Sequence, residues 1–336
     1  MNDVDQILLF YAITNRRDRL GDENLLDAEE GITSLLRKWP DMKAKLHVCF
    51  NQPLPLPLRQ LAWQLYLDNT KVRKKYVELL NNNPRAAISS QDLDISSHCE
   101  ELLLSEPTFS NLKGSIGAFY AMKAILSYYH SSKKTSGPLS GIDYLLAVPF
   151  IEVASSKISR REPAPGHIVA LLVEEFFTFM STRPSYMEDL KPKNEGLKAF
   201  CTKVANHILA RSPETSKVIV EAFASAKDKN KASDAANEAV LADAIEQLVH
   251  PTIRSMFVGY VNMDVLLYIW DQYIIGLDAP GFHDEFLPAV LAIYLMLVKE
   301  NLRAAETVSR YFLEDLEKLL NADTKAALPT LDPTLG

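Results

Sequence analysis

Residues 112–130 read LKGSIGAFYAMKAILSYYH and residues 167–181 read HIVALLVEEFFTFMS. In the first, Ile116, Phe119, Met122, Leu126 and Tyr129 recur at steps of three and four. In the second, Ile168, Leu172, Phe176, Phe179 and Met180 do the same. That period puts each set on one face of a helix. Start signals agree with it. Ser212-Pro213-Glu214 supplies an N-cap residue, a proline for the first turn and an acid beside the helix dipole. Asn262 can cap the helix carrying Val265, Leu266, Ile269 and Tyr273. About a dozen such segments follow one another with no run of alternating strands, so the predicted fold class is all-α.

Composition supports this class. The 336 residues include only 12 glycines, about half the usual share of ~7%. Turn-dense sandwiches and phosphate-cradling loops both need more. Punctuation falls at 81–84 (NNNP), 131–138 (SSKKTSGP), 181–184 (STRP) and, most densely, 157–166 (KISRREPAPG). The last predicts a boundary between an N-terminal lobe, 1–160, and a C-terminal lobe, 161–321, with 322–336 a frayed tail. A net charge of −7 disfavours sequence-blind nucleic-acid binding, which depends on neutralising phosphates. The opening MNDVDQILLFYAIT lacks a basic n-region and predicts no signal peptide. The apolar run 286–298 is too short to insert across a bilayer. Cys49, Cys99 and Cys201 are odd in number and widely spaced, which fits buried thiols in a reducing, cytoplasmic setting.

Familiar enzyme chemistry is missing. The seven histidines form no H-x-x-x-H pair and no C-x-x-C exists, so no metal site is expected. Neither G-x-x-x-x-G-K-[ST], G-x-G-x-x-G nor G-x-S-x-G occurs, so no cofactor is expected. Gly114-x-x-Gly117 reads as close helix packing. The adjacent acids Glu100-Glu101 and Glu174-Glu175 point about 100° apart on a helix and read as solvated faces. The Lys227–Lys231 run reads as a solvated loop.

Three stretches depart from that background. A proline ladder at 53–57 leads into Leu58-Arg59-Gln60-Leu61-Ala62-Trp63-Gln64-Leu65. Late in the chain stands Leu266-Leu267-Tyr268-Ile269-Trp270-Asp271-Gln272-Tyr273, after Ile253, Met256 and Phe257. Between them lies Gly141-Ile142-Asp143-Tyr144-Leu145-Leu146-Ala147-Val148-Pro149-Phe150. In this order, over roughly 30–320, they resemble the TBC domain family, whose members activate Rab GTPases. The matching family patterns are L-R-x-x-x-W, G-M-N-x-L-A-A-x-L and L-x-x-I-W-D. The resemblance implies a two-lobed helical domain and a groove for a small Rab-like GTPase. Arg59, Trp63, Ile95, Gly141 and Asp143 are then candidates near that groove, and Trp270 and Asp271 form a structural motif. The two tryptophans are large packing anchors, and Arg59 and Asp271 are polar groups able to tie helices together.

The resemblance also implies a mechanism that this sequence departs from. TBC activators supply an arginine from I-x-x-D-x-x-R and a glutamine from Y-x-Q-G. The arginine stabilises the phosphoryl-transfer transition state and is worth roughly 10³–10⁵ in rate. The first motif corresponds to Ile95-Ser96-Ser97-His98-Cys99-Glu100-Glu101, with His98 at the aspartate position and Glu101 at the finger position. In the second, Pro138 takes the tyrosine position and Ser140 the glutamine position, 39 residues on (140 − 101). A carboxylate adds negative charge where positive charge is needed, and a serine hydroxyl is too short to replace a carboxamide. The expectation is a pseudo-activator without catalytic residues that serves as a protein-interaction module. Its partner would be a Rab-like GTPase or another protein, within a larger assembly that could recruit it to a membrane, cilium or cytoskeletal structure. The alternatives are an active GTPase activator using Arg85 or Arg73, and a helical scaffold unrelated to GTPases.

Overall fold

The computed structural model describes residue 43 and residues 46–133, 137–187, 194–223 and 238–302. Among the described residues the regular elements are all helical and there is no strand. The α-helices are α1 (Leu56–Tyr66), α2 (Thr70–Asn82), α3 (Asp92–Ser105), α4 (Ile116–Lys133), α5 (Gly141–Ala154) and α6 (Gly166–Thr182). They continue with α7 (Glu195–Arg211), α8 (Pro213–Phe223), α9 (Glu238–Arg254), α10 (Met263–Ile275) and α11 (282–302). The tail 322–336 and the Lys227–Lys231 run lie outside the described residues.

The chain forms two compact units. One comprises Met1–Leu190 with His250–Phe286, the other Lys191–Val249 with Leu287–Gly336. The punctuated stretch 157–166, read from the sequence as the boundary at 160/161, lies inside the first unit between α5 and α6. It is stapled down there. The Ile116 amide donates to the Arg160 carbonyl at 2.9 Å, and the Arg160 guanidinium donates to the carbonyls of Asn111 and Lys113. Gly117 makes the approach possible, because a Cβ there would lie 2.3 Å from the Ser159 carbonyl oxygen. Of the glycine pair, Gly117 therefore serves a helix–loop contact rather than a helix–helix one, and nothing lies within 4 Å of where a Cβ on Gly114 would be. Gly114 takes a left-handed φ of 71°.

In the first unit α4 packs against α3, α5 and α6. Most of it is buried, including Ala118, Ala121, Met122, Ile125, Leu126, Tyr128 and Tyr129, while Tyr120 is exposed and Phe119 half-buried near its start. A helix apolar over most of its surface belongs inside a bundle. Its first residue breaks the expected pattern: Ile116 is 43% exposed. The whole apolar face read for α6 is buried as expected. Asn262 caps α10 by accepting from the Val265 amide at 2.9 Å. Ser212 acts differently: its hydroxyl meets that of Thr215 at 2.8 Å, next to the proline that opens α8.

The second unit is described over α7, α8, the greater part of α9 and the part of α11 from Leu287 onward. Helices α7 and α8 pack on each other. Val204, Ile208, Ile219, Leu241, Ile245, Leu291 and Leu295 are fully or nearly fully buried. Lys299 pairs with Glu214 at 3.0 Å on the surface of this unit.

Candidate functional site

The first and last signature stretches meet in the core of the first unit. Arg59 on α1 presents Nε to both carboxylate oxygens of Asp271 on α10, at 2.9 and 3.0 Å. Trp63, one turn further along α1, donates its indole N–H to the same carboxylate at 3.0 Å. This works because residues four apart share a helix face. Asp271 is wholly buried and the Arg59 side chain is 12% exposed. Burial pushes the Asp271 carboxyl up to about 6, while Arg59, Trp63 and the Leu54 amide pull it back. Trp270 stacks on Phe179 at 4.3 Å and lies 5.9 Å from Trp63, and Phe150 closes the cluster edge-on to all three. The Trp270 indole N–H donates to the Met256 carbonyl at 3.0 Å. That carbonyl belongs to a pair of left-handed residues, Met256 (φ 50°) and Phe257 (φ 68°), both buried. Such backbone costs free energy and persists only where surrounding contacts hold it.

Gln272 is the residue that motif reading overlooks. It is fully buried, accepts from the Asn51 amide at 2.8 Å and donates to the Gln52 carbonyl at 3.2 Å. Asp271 and Gln272 thus hold consecutive parts of the chain entering α1. In sequence, Gln272 carries no signal beyond its place after W-D, since its role depends on the shape of a loop more than 200 residues earlier.

The positions read from the sequence as counterparts of the finger residues sit elsewhere in the same unit. Ile95 is buried and anchors α3, while His98, Glu100 and Glu101 face solvent. The His98 ring stacks on Tyr144 of α5 with centroids 5.3 Å apart. Glu101 lies one turn beyond His98 on α3, and Ser140 lies one turn before Tyr144 at the start of α5. Ser140 is exposed and spends its polar groups locally. Its hydroxyl and its amide both donate to Asp143, whose amide donates back to the Ser140 oxygen: a capping box. Gly141 and Pro138 are exposed, and nothing stands within 4 Å of where a Cβ on Gly141 would be.

Two other groups clarify the chemistry. Glu174 and Glu175 are buried, which corrects their reading as a solvated face. Glu174 accepts the Asn69 amide and pairs with Arg73 at 3.3 Å, joining α6 to α2. Burial raises its pKa, an Asp68 carboxyl beside it raises it further, and the Asn69 amide and Arg73 oppose them. Arg73 is thus ion-paired through Nε with a buried carboxylate, its side chain 27% exposed. Arg85 is exposed in the short 3₁₀ turn Pro84–Ala87. His130 is buried between the Ser89 hydroxyl (2.8 Å) and the Gly137 carbonyl (2.9 Å), so both ring nitrogens are engaged in packing contacts.

One open groove of about 390 Å³ runs between α3 and the start of α4, lined by Glu100, Leu104, Ile116, Phe119 and Tyr120 among others. No protein family, no curated protein and no solved structure matches the chain. Among the described residues, no helix is long and apolar enough to cross a membrane, and no three His, Cys, Asp or Glu side chains are grouped to hold a metal ion.

Proposed function

We propose that this chain is a helical interaction module of TBC-like design that has lost GTPase-activating chemistry. Its partner is a protein, with a Rab-like GTPase the first candidate, and it does not accelerate GTP hydrolysis. The observation that carries the reading is the junction of the two signature stretches. Arg59 and Trp63 of the first converge on Asp271 of the last, across 212 and 208 residues of sequence. Short motifs matched by chance have no reason to share one buried carboxylate.

The same reading accounts for a loss of catalysis. Glu101 places a negative side chain at the finger position, opposite in sign to what the transition state requires. Ser140 is occupied as a helix cap and cannot reach a water with two opposed hydrogen-bonding functions. Arg73 is held by Glu174. A scaffold can keep binding without turnover, because binding needs shape and charge while turnover needs groups aimed at the reacting atoms.

The test mixes the full chain with a panel of GTP-loaded Rab proteins and follows phosphate release and complex formation separately. Binding to a member of the panel without faster release supports the reading. Clear acceleration refutes it, and loss of that acceleration in Arg85→Ala would establish an unconventional finger.

A further inference from the structure

The groove between α3 and α4 has features of a peptide-binding surface that the GTPase reading leaves unused. Leu104 is 45%, Ile116 43% and Tyr120 47% exposed, and all three line it. Contiguous exposed apolar side chains of this size mark interaction surfaces more often than chance exposure. The wall formed by α3 is also electrically one-sided. That helix carries Asp92, Asp94, Glu100 and Glu101 and no lysine or arginine. Asp92 is satisfied by Lys123 at 2.8 Å and by the Ser127 hydroxyl. Glu100 lines the groove and has no ion pair among the described residues. Lys113 is exposed in the turn before α4.

The geometry points to a docking site for a short amphipathic helix of a partner protein. The helix would bury apolar side chains at positions i and i+4 against Leu104, Ile116 and Tyr120, and set a lysine or arginine against Glu100. Apolar anchors in a groove supply the affinity of such helix-in-groove contacts, and the flanking charge sets orientation and partner choice. Glu101 is a neighbour of Leu104 three residues away on α3, so the groove adjoins the finger position read from the sequence, and peptides that contain no GTPase test it separately from the GTPase reading.

The experiment is fluorescence anisotropy with the full chain and three labelled alanine-based helical peptides. One carries leucines four residues apart with a flanking lysine, the second has glutamate for that lysine, and the third is a scramble of the first. The leucine–lysine peptide is expected to bind and the scramble to bind at least about tenfold more weakly. Leu104→Ser and Tyr120→Ser should each weaken binding by about fivefold or more, as anchor truncations do. Both side chains are nearly half exposed, so helicity by circular dichroism should be unchanged. Glu100→Lys should reverse the order of the lysine and glutamate peptides, whereas Glu78→Lys on the exposed face of α2 should not. Equal binding of the scramble, indifference to the groove variants, an unreversed order in Glu100→Lys, or no binding at millimolar peptide each overturns the proposal.

Discussion

Gly117→Ala tests whether the loop 157–166 is a hinge between lobes or a strap on the first unit. The new methyl carbon would stand 2.3 Å from the Ser159 carbonyl oxygen, 2.4 Å from Ile158 Cγ2 and 2.8 Å from the Glu162 carbonyl oxygen. Ordinary contact is near 3.4 Å, so the loop must retreat by about 1 Å. Two of the three obstacles are backbone, which a side-chain rotation cannot relieve. Retreat strains the 2.9 Å bond from the Ile116 amide to the Arg160 carbonyl and the Arg160 bonds to Asn111 and Lys113. Overpacking costs about 1–3 kcal/mol and a weakened hydrogen bond about 1 kcal/mol. Against this, alanine in place of a helical glycine gains about 1 kcal/mol. The net is a loss of about 2 kcal/mol, or roughly 4–8 °C in the melting temperature of a domain this size. Urea denaturation followed by tryptophan fluorescence reads it, with Gly114→Ala as the left-handed comparison. A Gly117→Ala protein as stable as the parent would mean that the loop moves freely and that the strap is not there.

Four further outcomes follow from the geometry. Asp271 keeps its proton up to about pH 6 in the folded chain, against 3.8 for the free carboxyl. Its contribution to stability is therefore complete below about pH 4 and is lost as pH rises through 6, by up to about 3 kcal/mol. Denaturation of the parent and of Asp271→Asn across roughly pH 4.5–7.5 should shift in favour of the asparagine variant as pH rises, and parallel curves would contradict it. Trp270→Ala should cost about 3–5 kcal/mol by opening the stacked cluster and releasing the Met256 carbonyl, measured as a fall in the urea midpoint. Ser140→Ala should cost about 1 kcal/mol through the lost cap, whereas Glu101→Ala on the exposed face should stay within about 0.5 kcal/mol. A silent Ser140→Ala beside a costly Glu101→Ala would mean that Ser140 does not cap α5 and that Glu101 is held by the fold.

The sequence carried the helices well because their signals are local. The period of α6, the Asn262 cap and the apolar stretch in 112–130 each depend on residues within a few turns. Ile116 departs from its pattern because it faces the open groove with Tyr120 rather than the interior of the bundle, and a sequence window does not show where the neighbouring helices leave a gap. The acids of α6 were misread for a related reason. Adjacency says that Glu174 and Glu175 diverge by about 100°, but not that Arg73 of α2 and the Asn69 amide wait on the inner side. Burial of a carboxylate depends on partners brought by the fold, and a sequence window does not contain them. The lobe boundary failed to coincide with the compact units on the same ground. Proline and charge in KISRREPAPG mark a chain that leaves helical geometry, which a strap and a linker do equally. Only Gly117 and the Arg160 bonds tell them apart, and both act between segments far apart in sequence.

The buried Arg59–Trp63–Asp271 junction and the exposed residues Glu101 and Ser140 also differ in what selection by stability can act on. Removing either partner of the junction strands a polar group inside the core, and such losses cost several kcal/mol, a large part of a domain's whole stability. Exposed residues such as Glu101 can change with almost no effect on folding. Ser140 has moreover become useful to the fold itself, as the cap of α5. Exposed positions of this kind can therefore change while the buried frame stays intact. On the proposed reading, the surface that is acidic along α3 and apolar at the mouth of the groove serves to hold a partner.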